Sequence, residues 1–333
     1  MPDNPLVSVI IVNFNGKKYL KNCFDSLISG SYKKIELIFV DNGSTDGSAP
    51  FVKANYPQVA IIDNKANLGL AVASNIGAGA AAGKYLFFFN NDTLADFRLI
   101  ENLVNAMEQD QSIGICGCET RTYDGKNIIN KGVACDIFGY PYGKDEPFYV
   151  DAGIFIRNEL FLSMAGFDEA MFLYGEDRDL CWRCWLYGYK VKVVEGAIFF
   201  HDSACITNDL KSYRTNINKR FWSEFNALRS ILKNYSLLFI LFILPLYMLI
   251  NLGEIIIFLF KGRLEIINQV YLKSYWENLK SFRDLSIKRK KVQRERKISD
   301  FRLIKSMRKG IGKLDLFLSM GIPEFDKKAG YAK

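Results

Sequence analysis

Four short apolar runs within the first ninety residues each break off at a cluster of Asn, Asp and Gly. Val7 to Val12 stops at Asn13-Phe14-Asn15-Gly16, and behind it Tyr19, Leu20, Cys23, Phe24, Leu27 and Ile28 recur at helical spacing. Ile35 to Val40 stops at Asp41-Asn42-Gly43-Ser44-Thr45-Asp46-Gly47. Val59 to Ile62 leads to Asn67-Leu68-Gly69 and a small-residue helix over 71–82, and Leu86 to Phe89 ends at Asn90-Asn91-Asp92. Runs this short and this rich in β-branched and aromatic side chains read as strands. Strands alternating with helices predict an α/β fold, a mostly parallel sheet with helices on both faces, and right-handed crossovers carry these strand ends to one edge. Ligands of such sheets bind in the crevice at that edge. Asn15, Asp41, Asn67 and Asn91 therefore surround one site.

The residue types there suit a nucleotide diphosphate and its cation. Asp92, at the end of a buried strand, is the kind of carboxylate that holds a hard divalent ion together with phosphate oxygens. Phe14 can pack on a flat base and Asp41 can accept the imide N–H of uracil or thymine, which cytosine lacks; equally, Phe14 reads as core and Asp41 as a turn former. A second acidic cluster, Gly175-Glu176-Asp177-Arg178-Asp179-Leu180-Cys181-Trp182-Arg183, opens a helix, and the only histidine, His201, follows it. Carboxylates are favoured in a first helical turn. Helical spacing puts Asp177 and Asp179 on different faces. A cation holder, a candidate base and an imidazole are thus available to one site.

Weaker signals lie between. Gly69, Gly77, Gly79 and Gly83, with six alanines between residues 71 and 82, imply a helix that something approaches closely, either a ligand or the sheet. From about Asp110 the texture turns Gly- and Tyr-rich, and Tyr123, Tyr140, Tyr142 and Tyr149 among Gly125, Gly132, Gly139 and Gly143 are either platforms for sugar faces or ordinary connectors. Asp151 to Arg157 reads as a further strand.

Seven scattered cysteines, an odd number, fit a reducing compartment. Cys181-x-x-Cys184 sits among Leu180, Trp182, Trp185 and Leu186 with no second pair at ligand spacing, and so reads as buried thiols in a helix. The start, Met1-Pro2-Asp3-Asn4-Pro5, has no basic region, long apolar stretch or small-residue cleavage site, which places the catalytic part in the cytosol. The formal net charge of +8 is concentrated at the far end, where Lys261 to Lys333 holds 20 Lys and Arg against 8 Asp and Glu. A basic tail serves nucleic acid or an anionic membrane. The segment before it, Tyr235 to Phe260, is apolar enough to favour membrane and exclude nucleic acid. Pro245, Asn251, Gly253 and Glu254 split that segment, which predicts a re-entrant or interfacial hairpin with both flanks cytoplasmic, as the basic stretch Lys288 to Lys297 requires. The alternative is a buried core helix. The expected organisation is a catalytic domain over 1–230, membrane-associated helices over 231–265 and a basic helical tail over 266–333.

Taken together, Val9-Ile10-Ile11-Val12-Asn13-Phe14-Asn15, Val40 to Gly47, Asn67-Leu68-Gly69 with Asn75 and Gly77, Asn90-Asn91-Asp92-Thr93, Gly166-Phe167-Asp168-Glu169 and Glu176 to Arg183 resemble the glycosyltransferase family 2 enzymes of GT-A fold, in particular their bacterial rhamnosyltransferase-like members. The resemblance implies an inverting, metal-dependent sugar transfer from a nucleotide diphosphate sugar to a saccharide or lipid-linked glycan of the cell envelope, at the cytoplasmic face of the cell membrane. It implies Asn13, Phe14, Asn15, Asp41, Asn67, Gly69, Asn75 and Asn91 in the nucleotide site, with Asn91 on the ribose. Asp92, with His201 beside it, would hold Mg2+ or Mn2+. Asp177 would be the general base, oriented with the acceptor by Glu176 and Asp179. The chain departs from the family in having Asn90-Asn91-Asp92 where two carboxylates are common, so a cation should bind poorly without nucleotide. Rhamnose from a thymidine diphosphate donor is the specificity implied, with a hexose from a uridine diphosphate donor as the alternative. A nucleotidyltransferase would need a basic Gly-rich phosphate loop that Asn13 to Lys18 does not supply, and a non-catalytic membrane-bound binding protein would not need Asp92 and Asp177.

Overall fold

The structure is a computed structural model describing residues 4–141, 147–201 and 214–325; Tyr142, Gly143 and Cys205 lie outside them. The chain forms two compact units. The first carries β1 (Val7–Asn13), α1 (Lys17–Ser29), β2 (Ile35–Asp41), α2 (Ser48–Asn55), β3 (Ala60–Asp63), α3 (Leu70–Gly79), β4 (Tyr85–Phe89), β5 (Thr93–Ala95), α4 (Leu99–Gln109), β6 (Ile113–Thr122), β7 (Ile128–Asn130), β8 (Gly153–Arg157), α5 (Asn158–Ser163), most of α6 (Glu176–Leu186) and β9 (Lys190–His201). The expected strands are all present.

The sheet order is β3-β2-β1-β4-β8-β6-β9-β5, with β7 paired to β6. The wing from β3 to β4 is parallel throughout. Beyond it β8 enters antiparallel between β4 and β6, and β5 runs antiparallel to β9. Every residue of β4 is buried, because both faces are covered. Phe24, Phe39, Phe87, Phe155 and Phe199 share one core cluster, and Tyr85 stacks on Phe155 with ring centroids 5.0 Å apart. The small-residue helix α3 ends at Gly79, short of residue 82. Its close neighbour at Gly77 is the sheet: a Cβ there would lie 2.6 Å from Ile10 Cγ2.

The second unit holds a loop from Ala134, Trp185–Gly188, and everything from β10 onward. It comprises β10 (Arg214–Thr215), α7 (Ile217–Asn234), α8 (Leu237–Phe260), α9 (Leu264–Ile266), a π-helical turn (Ile267–Leu272), α10 (Lys273–Lys280), α11 (Phe282–Glu295), α12 (Asp300–Leu303), α13 (Gly312–Met320) and β11 (Glu324–Phe325), which pairs with β10. A boundary at residue 230 would cut α7. That helix belongs to the helical unit because Arg229 pairs with Asp284 of α11 and Asn278 of α10 donates to the Phe225 carbonyl at 3.1 Å.

The apolar segment is not divided. It is one 24-residue helix, capped by Ser236 and running through Pro245. Of the residues expected to interrupt it, Asn251 and Glu254 turn inward, while Pro245 and Gly253 are exposed. Ile243, Tyr247, Asn251 and Phe258 are buried on one stripe, and Glu254 lies half-buried on the same stripe. Glu254 meets Arg220 at 2.6 Å, Lys313 at 2.7 Å and the Tyr271 hydroxyl at 3.0 Å. Lys313 also meets Glu224 at 2.7 Å and sits 4.6 Å above the Tyr140 ring. Leu238, Leu241, Phe242, Leu249, Leu252, Leu259 and Phe260 face outward, Phe260 87% exposed. The helix therefore has polar groups inside and apolar ones outside, the reverse of a surface helix in a water-soluble protein.

Candidate active site

The carboxyl ends of β1, β2 and β4 are bound together by a chain of amide hydrogen bonds. Asn91 Nδ2 donates to Asn13 Oδ1 at 2.6 Å, and Asn13 Nδ2 donates to Ser44 Oγ at 3.0 Å. Ser44 N donates to Asp41 Oδ1 at 3.1 Å, and Thr45 N donates to Asn15 Oδ1 at 2.8 Å. Asn15 itself stands at φ +53°, a conformation Asn tolerates. Gly16 allows the approach: a Cβ there would fall 2.1 Å from Asn91 Nδ2. Phe14 is half-exposed at this rim, and Asp41 is buried beside it. The structure thus brings Asn13, Phe14, Asn15, Asp41 and Asn91 to one place. Ser44 is the hub that sequence reasoning did not single out, although it lies within the quoted motif.

Asn67, Gly69 and Asn75 are placed differently. Asn67 Oδ1 accepts from Asn42 Nδ2 at 3.0 Å and from Gly69 N at 3.1 Å. Gly69, at φ +86°, lies so close to Phe172 that a Cβ would be 2.6 Å from its ring. Asn75 grips the Phe167 backbone at both ends, donating to its carbonyl at 3.0 Å and accepting from its N–H at 2.8 Å. Gly69 and Asn75 thus hold the segment that leads into the acidic cluster, and Asn67 shapes the turn that presents Gly69.

Asp92 and His201 come together through the pairing of β5 with β9, which sets Thr93 opposite His201. His201 Nε2 is 3.5 Å from Asp92 Oδ1, and the Tyr123 hydroxyl donates to the Asp92 carbonyl at 2.9 Å. Among the described residues no cluster of three potential metal ligands occurs. One carboxylate oxygen and one imidazole nitrogen fit a cation that draws its remaining ligands from a diphosphate and water.

The acidic cluster opens on a cavity of about 310 Å3. Its walls include Leu70, Phe88, Asn90 and Phe167, and its acidic lining is Asp151, Glu176 and Asp177. Burial, then the neighbouring Asp177 charge, pushes Glu176 up to about 8 and Asp151 up to about 7. Burial also raises Asp177, while the Arg178 N–H and guanidinium pull it back. The sequence reads Asp151 to Arg157 as one strand; the strand begins only at Gly153, because Ala152 stands at φ +55°, and Asp151 precedes it. Asn130 Nδ2 holds one Asp151 oxygen at 2.8 Å. Glu176 Oε2 is buried without a hydrogen-bond partner. Asp179 is not part of this lining. It is fully buried against Arg183 at 2.9 Å, and Arg183 in turn donates to the Met164 and Gly166 carbonyls.

Residues 8–185, which take in the strands from β1 to β8 and both acidic clusters but stop before β9 and His201, match the family described as glycosyl transferase family 2. The chain belongs to that family. An uncharacterised glycosyltransferase of Haemophilus influenzae is 33% identical over 145 residues, 43% of each chain. The stretches shared with the curated relatives thus span about half of their length or less. Among solved structures, S. aureus TarS 1-349 aligns with a TM-score of 0.53 at 15% identity, over 69% of this chain and 66% of that one. The mannosyltransferase PcManGT from Pyrobaculum calidifontis, solved with GDP-Man and Mn2+, aligns with a TM-score of 0.51 at 18% identity, over 69% and 64%. The fold is GT-A.

Other sequence signals within and beyond the family 2 region have structural roles. Tyr140 and Tyr149 are buried, so neither is a platform for a sugar face; Tyr140 donates to Glu224. Only Tyr123 of the described tyrosines in that stretch is well exposed, at 39%. Cys181 and Cys184 are buried free thiols, and burial raises both.

Proposed function

We propose that the chain is an inverting glycosyltransferase that moves a sugar from a nucleotide diphosphate donor to a hydroxyl of a saccharide or lipid-linked acceptor, at the cytoplasmic face of the cell membrane. One observation carries the reading: Asp177, its proton affinity raised by burial, lines the same cavity as Asn90, two residues before Asp92. A desolvated carboxylate is a stronger base than one in water, which suits removal of a proton from an attacking hydroxyl. One base acting in a direct displacement inverts the anomeric centre. Glu176 borders Asp177 and shapes its charge, while Asp179 acts at a distance by holding Arg183 on the Gly166 turn.

Asp92 and His201 are the residues that would hold Mg2+ or Mn2+, which when bound would offset the charge of the departing diphosphate. Phe14 at the rim would cover the base, and Asp41 would take the imide N–H of thymine or uracil. A thymidine diphosphate rhamnose donor is favoured by the motif resemblance; a uridine diphosphate hexose is the second reading, since Asp41 treats both bases alike. The outward apolar face of α8 supports association with the membrane, and the inward ties of Asn251 and Glu254 support a helix lying in the interface over one that crosses it.

Donor hydrolysis and thermal shift across a panel of nucleotide sugars with Mn2+ test the proposal. Sugar release from one thymidine or uridine diphosphate donor is expected. Binding without any release of sugar would favour a non-catalytic binding protein, and release of pyrophosphate from a nucleoside triphosphate would favour a nucleotidyltransferase.

A further inference from the structure

The three carboxyls of the inner cavity do more than supply a base. Asp151, Glu176 and Asp177 line it with Leu70, Phe88 and Phe167, and no Lys or Arg is among the described lining residues. Glu176 is 6% exposed, and its Oε2 lacks any hydrogen-bond partner. A buried carboxyl oxygen in that state lacks a donor, and a ligand hydroxyl would be one. Asp151 is fixed through one oxygen by Asn130. Apolar walls with a few acceptors suit a pyranose, whose C–H faces pack on rings and whose hydroxyls donate to carboxylates. A carboxylate brought beside the ionised members of this set would be strongly disfavoured.

We propose that Asp151 is a specificity-determining residue: with Glu176 and Asp177 it makes the inner cavity a subsite for an uncharged sugar and excludes one bearing a carboxylate. The inference rests on the transferase reading and names the sugar class its site accepts. Glucose and glucuronic acid differ only at C6, so UDP-glucose and UDP-glucuronate are the donor probes, while methyl glucoside and methyl glucuronide, as competitors of transfer, are the acceptor probes. Using the full chain with Mn2+, one pair is expected to show at least about tenfold weaker binding of the acidic member, and the pair that does so identifies whether donor or acceptor sugar occupies the subsite. Asp151→Asn should narrow that gap to about threefold or less. Equal binding of both members in both pairs, or a gap unchanged by Asp151→Asn, would overturn it. A protein that discriminates in this way yet releases no sugar would sink the transferase reading and leave the subsite standing. A second readout does not need turnover: because burial raises Asp151 to about 7 from the ordinary value of about 3.9, Asp151→Asn should raise Tm at pH 8 and raise it less at pH 5. A lower Tm at pH 8 would make Asp151 a structural prop and end the proposal.

Discussion

At the scale of single residues, the proposed mechanism gives Asp177 and Asp92 separable roles. Asp177→Asn should lower transfer by about 100-fold or more while donor affinity stays within about twofold, since the carboxylate takes a proton and holds no nucleotide; single-turnover rates beside equilibrium donor binding will show it, and near-normal turnover would remove Asp177 from the mechanism. Asp92→Ala should weaken donor binding with Mn2+ and change little in EDTA, with His201→Ala milder in the same direction. A parent protein whose donor affinity ignores EDTA would refute both. Activity and stability should respond oppositely to pH. Asp177 must be ionised and its proton affinity is raised by burial, so transfer falls as pH drops through a limb above the ordinary Asp value of about 3.9. Glu176, raised to about 8, keeps a proton in the folded state that the unfolded chain has released above about 4.3. Folded protein then binds more protons than unfolded, and stability declines as pH rises through that window; a pH series of Tm, flattened in Glu176→Gln, checks this. Asp177 and Asp92 stand out in the sequence because each lies where a regular element begins or ends. Asp151 does not, because its importance comes from the cavity that β8 and α6 close around it.

Among the elements, α8 shows the limit of periodicity. Its composition was legible, but Asn251 and Glu254 read as breaks, because their partners Arg220 and Lys313 are remote in sequence. Removing a partner from a buried ion network typically costs about 3–5 kcal/mol. Glu254→Ala should therefore cost about that much by denaturant melts, and Glu254→Gln less, since it keeps a hydrogen bond to Tyr271. If Glu254→Ala is neutral, the network does not fix the inward face of α8. The parallel wing from β3 to β4 was read correctly from its strand and turn signals, whereas the antiparallel insertion of β8 depends on long-range pairing such as Phe87 with Phe155.

For the whole molecule, the basic tail is less available than its sequence implies. Of the residues from Lys288 to Lys297, Arg289 caps the carbonyls of Leu232 and Tyr235 at 2.6 Å, Arg296 pairs with Asp300 and Lys288 with Asp284. Membrane attraction should then come mainly from the apolar face of α8. Binding to anionic vesicles should largely survive about 1 M salt, where the Debye length is about 3 Å, and be lost in the pair Leu241→Glu with Leu249→Glu. Full release by salt alone would contradict that division. On the proposed membrane association, the outward leucines on α8 would also change the dimensionality of the search for an acceptor. An enzyme held on a leaflet meets lipid-borne acceptor by diffusion in two dimensions, while donor arrives from three. Its rate should follow the mole fraction of acceptor in the bilayer, remain constant when vesicles are diluted at fixed composition, and fall when carrier lipid is added at a constant amount of acceptor.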